Sequence, residues 1–286
     1  EQGKPLSQAL GETKSAIAKI NAVLSQEIPI DTFETKDKTT QVFRHPMGVV
    51  AGIAPWNYPV SIGVAKMFRP IAIGNTVVMK PASVTPLSSL YIAELVSDIL
   101  PPGVLNVITG PGKIGESLVA HPDVRMVTFT GSVPVGKRIA EVAARDLTRV
   151  SLELGGNDAS IVLADTDLDK YAEDIFWGAF RNSGQICIAS KRLYIHEDIY
   201  EDLINRLVKI ANTVKVGNGL DDMNSMGPVN NLSQLKLVEE LVSDAKSHGG
   251  KVLCGGNRLP GDGYFYPPTI ISNISEGVRL VDEEQF

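Results

Sequence analysis

Met126-Val127-Thr128-Phe129-Thr130-Gly131-Ser132-Val133-Pro134-Val135-Gly136 is the stretch on which the fold turns. An apolar, β-type run ends in a glycine and a hydroxyl, and a helix opens behind them. Gly131 allows a tight turn and close approach of a ligand. The Ser132 hydroxyl and the free N–H groups of the first helical turn can bind an anion. Gly136 lets the helix pack close to its neighbours. A plain strand–helix turn with Ser132 as N-cap accounts for this segment equally well, because it is not the G-x-G-x-x-G fingerprint.

The same pattern extends on both sides. Val49–Ala54, Asn75–Lys80 and Val104–Ile108 are short buried-type strands, and residues 59–72, 86–99 and 113–120 between them read as helices. Strands alternating with helices in this way indicate an α/β fold, a parallel sheet with helices on both faces. Beyond Glu153 a second α/β segment follows. Its strands are 159–163, 192–196 and 251–254, and its helices are 167–182, 198–212 and 231–248. Ahead of the first strand, residues 4–25 read as an amphipathic helix and 30–46 as an extended polar arm. The expected divisions are 1–29, 30–46, 47–154 and 155–286.

Composition narrows the function. The 286 residues are 43% hydrophobic and 21% charged, as in an ordinary globular protein, and the net charge of −6 favours neither nucleic acid nor an anionic membrane surface. No apolar run reaches spanning length and no secretory signal is visible, so a cytoplasmic location is expected. Two cysteines, Cys187 and Cys254, form no disulfide framework and no zinc spacing, and no metal site is expected. The chain begins with Glu rather than Met, so part of its natural N-terminus is expected to be missing.

Cys187, in Asn182-Ser183-Gly184-Gln185-Ile186-Cys187, and Glu153, in Leu152-Glu153-Leu154-Gly155-Gly156-Asn157, point to covalent chemistry. A thiolate can attack a carbonyl, and a carboxylate can take protons from the thiol or from water. A lone Cys is more often a small buried hydrophobe, so the neighbouring motifs carry the argument. Asn57 lies in Pro55-Trp56-Asn57-Tyr58-Pro59, where two prolines fix the turn; its amide can donate to a developing oxyanion or simply form the turn. Lys80 ends a strand in Lys80-Pro81-Ala82-Ser83, at an edge where it faces either a ligand crevice or solvent.

Together these motifs resemble the aldehyde dehydrogenase superfamily, in the family's order over the whole chain and finishing with Glu283-Glu284-Gln285-Phe286. The resemblance implies a Rossmann-type NAD(P)-binding domain over 47–154 and a catalytic domain over 155–286. It also implies that segments at both ends are missing, the catalytic domain being C-terminally incomplete. The implied reaction is oxidation of a small aldehyde to a carboxylic acid with NADP or NAD. Cys187 would be the nucleophile, Asn57 and the Cys187 N–H the oxyanion hole, and Glu153 the activator of hydrolytic water. Lys80 would bind the adenosine ribose. Trp56 and Ser132, with Gly131 and Gly136 in the same turn, would lie by the pyrophosphate. Gly155, Glu284 and Phe286 would adjoin the nicotinamide and its ribose. The full-length form is expected to be a homodimer or homotetramer. A non-catalytic truncated relative that only binds cofactor is the alternative. Acyl transfer to coenzyme A is a further reading that Glu153 disfavours, and a cysteine hydrolase would need a histidine beside the thiol.

Two positions bear on specificity. Many NAD-preferring members carry Glu three residues after the ribose lysine; here the residue is Ser83, which leaves Lys80 free to pair with a 2′-phosphate. Arg181 stands where succinate-semialdehyde dehydrogenases hold the substrate carboxylate, but their second arginine is replaced by Ala65. Arg181 is therefore a candidate substrate residue, or equally a cation at a helix end. Cys254 reads as a strand-end core residue, the four histidines as surface or loop residues, and Asp165-Thr166-Asp167 as a helix cap.

Overall fold

A computed structural model describes residues 1–286. The chain begins with helix α1 (Leu6–Leu24) and an antiparallel hairpin of β1 (Asp31–Glu34) and β2 (Thr39–Val42). There follow β3 (Val49–Ile53), α2 (Pro59–Ala72), β4 (Thr76–Lys80), α3 (Leu87–Leu95), β5 (Leu105–Val107), α4 (Gly112–Val119), β6 (Val124–Thr130), α5 (Val133–Ala144) and β7 (Arg149–Glu153). The remainder comprises β8 (Asp158–Val162), α6 (Leu168–Phe180), β9 (Ser190–Ile195), α7 (Tyr200–Thr213), α8 (Leu232–Ser247), β10 (Lys251–Cys254), β11 (Ile270–Ser272) and the short α9 (Arg279–Asp282). Two units result: Glu1 with Gly11–Leu154, and Gln2–Leu10 with Gly155–Phe286.

In the first unit all five strands from β3 to β7 pair in parallel, in the order β5-β4-β3-β6-β7. Successive crossovers run outward from β3 in one direction and from β6 in the other, so the strand order reverses between β3 and β6. Alternation along each strand splits the core. Ala51, Val127 and Phe129 pack with Ile139 and Val142 of α5 and Val119 of α4. On the opposite face Val50, Val77 and Met79 pack with Met67 of α2. Burial of each of these Val, Ile, Phe and Met side chains stabilises the fold by about 1.5–3 kcal/mol.

The second unit is less regular. β8 and β9 form a parallel pair, and β10 and β11 an antiparallel one. Val162 of β8 joins Leu168, Ala172 and Phe176 of α6 and Leu203 and Leu207 of α7 in one cluster, against which Cys254 packs. Asp167 caps α6, its carboxylate accepting from Lys170 N at 3.2 Å.

The structure departs from the sequence-based outline in several places. Strand β7 was not anticipated: Arg-Val-Ser-Leu-Glu lies at the sheet edge, mostly exposed, so it lacks the apolar run that marks its neighbours. β11 and α9 also went unseen, each only a few residues long. Helix α3 stops at Leu95, and residues 96–100 coil into turns ahead of Pro101. Helix α6 stops at Phe180, which puts Arg181 outside it. No helix is long and apolar enough to cross a membrane.

Candidate active site

In the first unit, four of the motifs meet the same edge of one sheet. Ile53, the last residue of β3, is in register with Lys80, the last of β4, and with Phe129 of β6. Thr130 is in register with Glu153, the last of β7. Asn57, Lys80, Ser132 and Glu153 therefore all leave the carboxyl end of the sheet, and Asn57 and Ser132 do so on either side of the β3–β6 reversal. In open parallel sheets this is where ligands bind.

Two helix N-termini open there. Asn57 is buried at 2% exposure, and Trp56 beside it is half-buried. The first turn of α2 is capped from α1: buried Glu12 accepts from Val60 N at 2.8 Å and Ser61 N at 2.9 Å. The first turn of α5 has no such cap. Ser132 occupies the N-cap position, yet its hydroxyl is exposed and makes no capping bond. That leaves the hydroxyl and the first N–H groups available to an anion, which weighs against a purely structural turn. A side chain at Gly131 would meet the Phe129 ring at 2.5 Å, and one at Gly136 would overlap Leu154. Gly131 is thus set by the Phe129 ring of the strand it follows, and Gly136 by the closeness of α5 to Leu154.

Lys80 is 5% exposed, its Nζ donating to Pro81 O at 3.2 Å. Its stem lies on α4, where Gly115 leaves room. Burial lowers its pKa. Ser83 is exposed and its hydroxyl donates to Gly110 O at 2.8 Å. Glu153 is exposed at the strand end rather than held within a glycine turn; its carbonyl accepts from Gly131 N at 3.0 Å.

Lys66 is the residue that motif reading missed. It is 6% exposed in the middle of α2, and its Nζ donates to Thr128 Oγ1 at 3.1 Å. Burial pulls its pKa down to about 8, the nearby Glu153 carboxylate opposes that shift, and Arg69 adds to it. α2 can lie this close because Gly52 of β3 has no side chain; a Cβ there would press on Met79 and Lys66 at 3.2 and 3.4 Å. A lone lysine within an apolar helical repeat gives no signal in sequence, since only packing shows that its amine is turned into the sheet.

In the second unit Cys187 follows an unusual turn. After α6, Asn182, Ser183 and Gly184 take φ values of 55°, 59° and 75°, three consecutive left-handed residues of which two are not glycine. Buried amides hold the turn. Gln185, 1% exposed, donates to Asn182 O at 3.0 Å and accepts from Asn230 N at 2.8 Å. The Asn182 side chain returns a bond to Gln185 O at 3.2 Å, and Ser183 Oγ donates to Gly227 O at 2.9 Å. Cys187 itself is half-buried and in no disulfide. Arg181, expected to meet a substrate, is exposed where the turn begins.

The end of the chain folds back on the glycine pair. Gly156 N donates to Glu284 Oε1 at 3.2 Å, and a side chain at Gly155 would overlap the Glu284 carboxylate. Asn157 Nδ2 donates to Val281 O at 2.6 Å and Glu283 O at 3.1 Å. Gln234 Nε2 donates to the carbonyls of Gln285 and Phe286 at 2.6 and 2.8 Å. Burial raises the pKa of Glu284, and the Gly156 N–H and the Lys191 ammonium act against that rise. All four histidines, His45, His121, His196 and His248, are exposed, which disfavours a Cys–His hydrolase.

The sequence model of the aldehyde dehydrogenase family matches residues 1–286. A probable aldehyde dehydrogenase of Pseudomonas sp is 42% identical over all of this chain and 59% of its own length. The NADP(+) succinate-semialdehyde dehydrogenase GabD of Escherichia coli strain K12 is 39% identical, over 100% of this chain and 61% of its own. Among solved structures, the NAD+ complex of an aldehyde dehydrogenase from Bacillus cereus superimposes with a TM-score of 0.95 at 37% identity, covering 100% of this chain and 59% of that one. The chain spans about three fifths of the length of the curated relatives it matches.

Proposed function

The chain belongs to the aldehyde dehydrogenase family, and on that premise we propose that it oxidises an aldehyde to a carboxylic acid through a covalent bond to Cys187. The observation carrying this reading is the Cys187 turn: left-handed residues and buried amides hold a cysteine in place, an arrangement that an inert core cysteine does not need.

In the proposed sequence, the Cys187 thiolate adds to the aldehyde carbon, and the Asn57 amide and Cys187 N–H donate to the resulting oxyanion. Loss of hydride from the adduct leaves a thioester. Glu153 takes a proton from water, the hydroxide adds to the thioester, and the thiolate departs with release of the acid.

The nicotinamide cofactor, when bound, accepts the hydride. The donor set at the carboxyl edge of the sheet fits it. The uncapped α5 N-terminus with Ser132 and Gly131 suits a pyrophosphate, and Trp56 stands beside the same reversal. Gly136 keeps that helix close to the sheet. Lys80 suits the adenosine ribose. Glu284, Phe286 and Gly155 would serve the nicotinamide end. We assign NADP as accepted and preferred, because Ser83 carries a neutral hydroxyl where a carboxylate would repel a 2′-phosphate. An ω-carboxy aldehyde such as succinic semialdehyde is the proposed substrate class, with Arg181 as its carboxylate partner. The similarity to GabD supports both assignments. The β1–β2 hairpin, whose Phe33 and Val42 are exposed, is the proposed site of assembly into a homodimer or homotetramer.

The test is NADPH and NADH formation from succinic semialdehyde and an unsubstituted aldehyde. Turnover abolished by Cys187→Ala supports the proposal, and turnover retained in that variant refutes the covalent route. A kcat/KM for NAD tenfold above that for NADP would overturn the cofactor preference. An unchanged KM for succinic semialdehyde in Arg181→Ala would remove the carboxylate partner.

A further inference from the structure

Lys191 is the fourth residue after Cys187 and lies in β9. Its side chain turns inward instead of to solvent. Nζ donates to the carbonyl of Gly184, the last left-handed residue of the nucleophile turn. The fit is close: a Cβ on Gly184 would stand 2.8 Å from Nζ. The amine also feels the charge of Glu284, whose carboxylate rests against Gly155 and accepts from Gly156 N at 3.2 Å. One ammonium thus bonds the turn before Cys187 and faces the carboxylate proposed for the nicotinamide ribose.

We propose that Lys191 is a positioning residue that couples the two halves of the reaction within the second unit, fixing the Cys187 turn through Gly184 and serving as counter-charge to the Glu284 carboxylate. The inference rests on the proposed dehydrogenase reading. The first role follows from strain. Asn182 and Ser183 are held left-handed against their preference, and a charge-assisted bond to the next carbonyl opposes relaxation of the turn. The second follows from burial. A half-buried carboxylate at neutral pH needs a donor and a counter-charge; Gly156 N–H supplies one and Lys191 the other. Burial in turn lowers the lysine to about 8, so the amine is mostly charged at neutral pH and loses its proton in mildly alkaline solution.

Three lysine-191 measurements separate this from a merely structural role. In Lys191→Met, the Kd for NADP, read by quenching of protein fluorescence, is expected to rise about tenfold, and kcat at saturating NADP to fall about tenfold. In Lys191→Arg, which keeps the charge, Kd returns to within about threefold of wild type. A Lys191→Met protein with a lower melting temperature but unchanged Kd and kcat would overturn the proposal. Should Lys191→Met not fold, NMR titration of the ¹³Cε-lysine-labelled wild-type protein tests the charge link. The Lys191 resonance, identified by its absence from Lys191→Arg, is expected to titrate near 8 and to shift downward in Glu284→Gln. An unshifted midpoint refutes the coupling. If the wild-type protein binds no NADP, the cofactor reading fails, while the titration still decides whether Lys191 and Glu284 are coupled.

Discussion

Each unit withdraws the amine of one lysine from water near a carboxylate, Lys66 with Glu153 in the first and Lys191 with Glu284 in the second, and this desolvation lowers both amines to about 8. Their surroundings differ. Lys66 bonds a side-chain hydroxyl, Thr128, on a regular sheet, and its carboxylate stands exposed at a strand end. Lys191 bonds a backbone carbonyl on a strained turn, and its carboxylate is half-buried against a glycine pair with a raised pKa. In the first unit strand register alone brings the functional positions to one edge. In the second, side-chain amides and chain segments far apart in sequence do so. The second arrangement is therefore the one more sensitive to single substitutions.

The largest expected effect tests that difference at its most crowded point. Gly155→Ala forces the Glu284 carboxylate away and is expected to cost about 1–3 kcal/mol of stability, with NADP affinity reduced tenfold or more. Gly136→Ala is the matching change in the first unit, where Leu154 can shift without giving up a hydrogen bond, whereas displacing Glu284 also costs its bond from Gly156 N; denaturant unfolding is expected to rank Gly155→Ala as the costlier of the two. Equal costs would erase the contrast.

Gln185→Ala comes next. It leaves the Asn230 N–H without its buried acceptor and releases Asn182, for about 1–3 kcal/mol in urea unfolding. Turnover should fall further than stability alone explains, since the same amide shapes the Cys187 turn. Ser83→Glu, on the regular edge, should leave stability within about 0.5 kcal/mol and move the NADP/NAD ratio of kcat/KM about tenfold toward NAD.

The last expected effect is a pH dependence. Lys66 has a folded-state pKa near 8, below its ordinary 10.5, so between these values the unfolded chain holds more protons than the folded one. Stability contributed at this site therefore rises as pH increases from about 8 to 10.5 and is lowest below 8. Lys66→Met should flatten that rise in melting temperatures measured across the window, while a rise of undiminished slope would mean that Lys66 is not buried as a charge.

How far the site was legible in sequence follows the same division. The strands β3, β4 and β6 announce themselves by apolar runs, and the motifs that end them fall at one sheet edge because parallel strands all point the same way. The edge strand β7 was missed because four of its five residues are exposed to water. The glycine, cysteine and carboxylate positions were readable, but not the conformation of Asn182 and Ser183, since neither residue type requires a left-handed backbone.

Local sequence by itself determined the α/β alternation, the family resemblance and the identity of the candidate nucleophile, because periodicity and short motifs are properties of neighbouring residues. Tertiary structure alone decided which lysines are buried, that Ser132 leaves its helix uncapped, and that Glu284 lies on Gly155. Those outcomes depend on contacts between residues well separated in sequence, such as Lys66 with Thr128 and Gly155 with Glu284, and on the solvent they exclude. Desolvation of an amine or a carboxylate is a property of the packed environment and is not encoded at its own position.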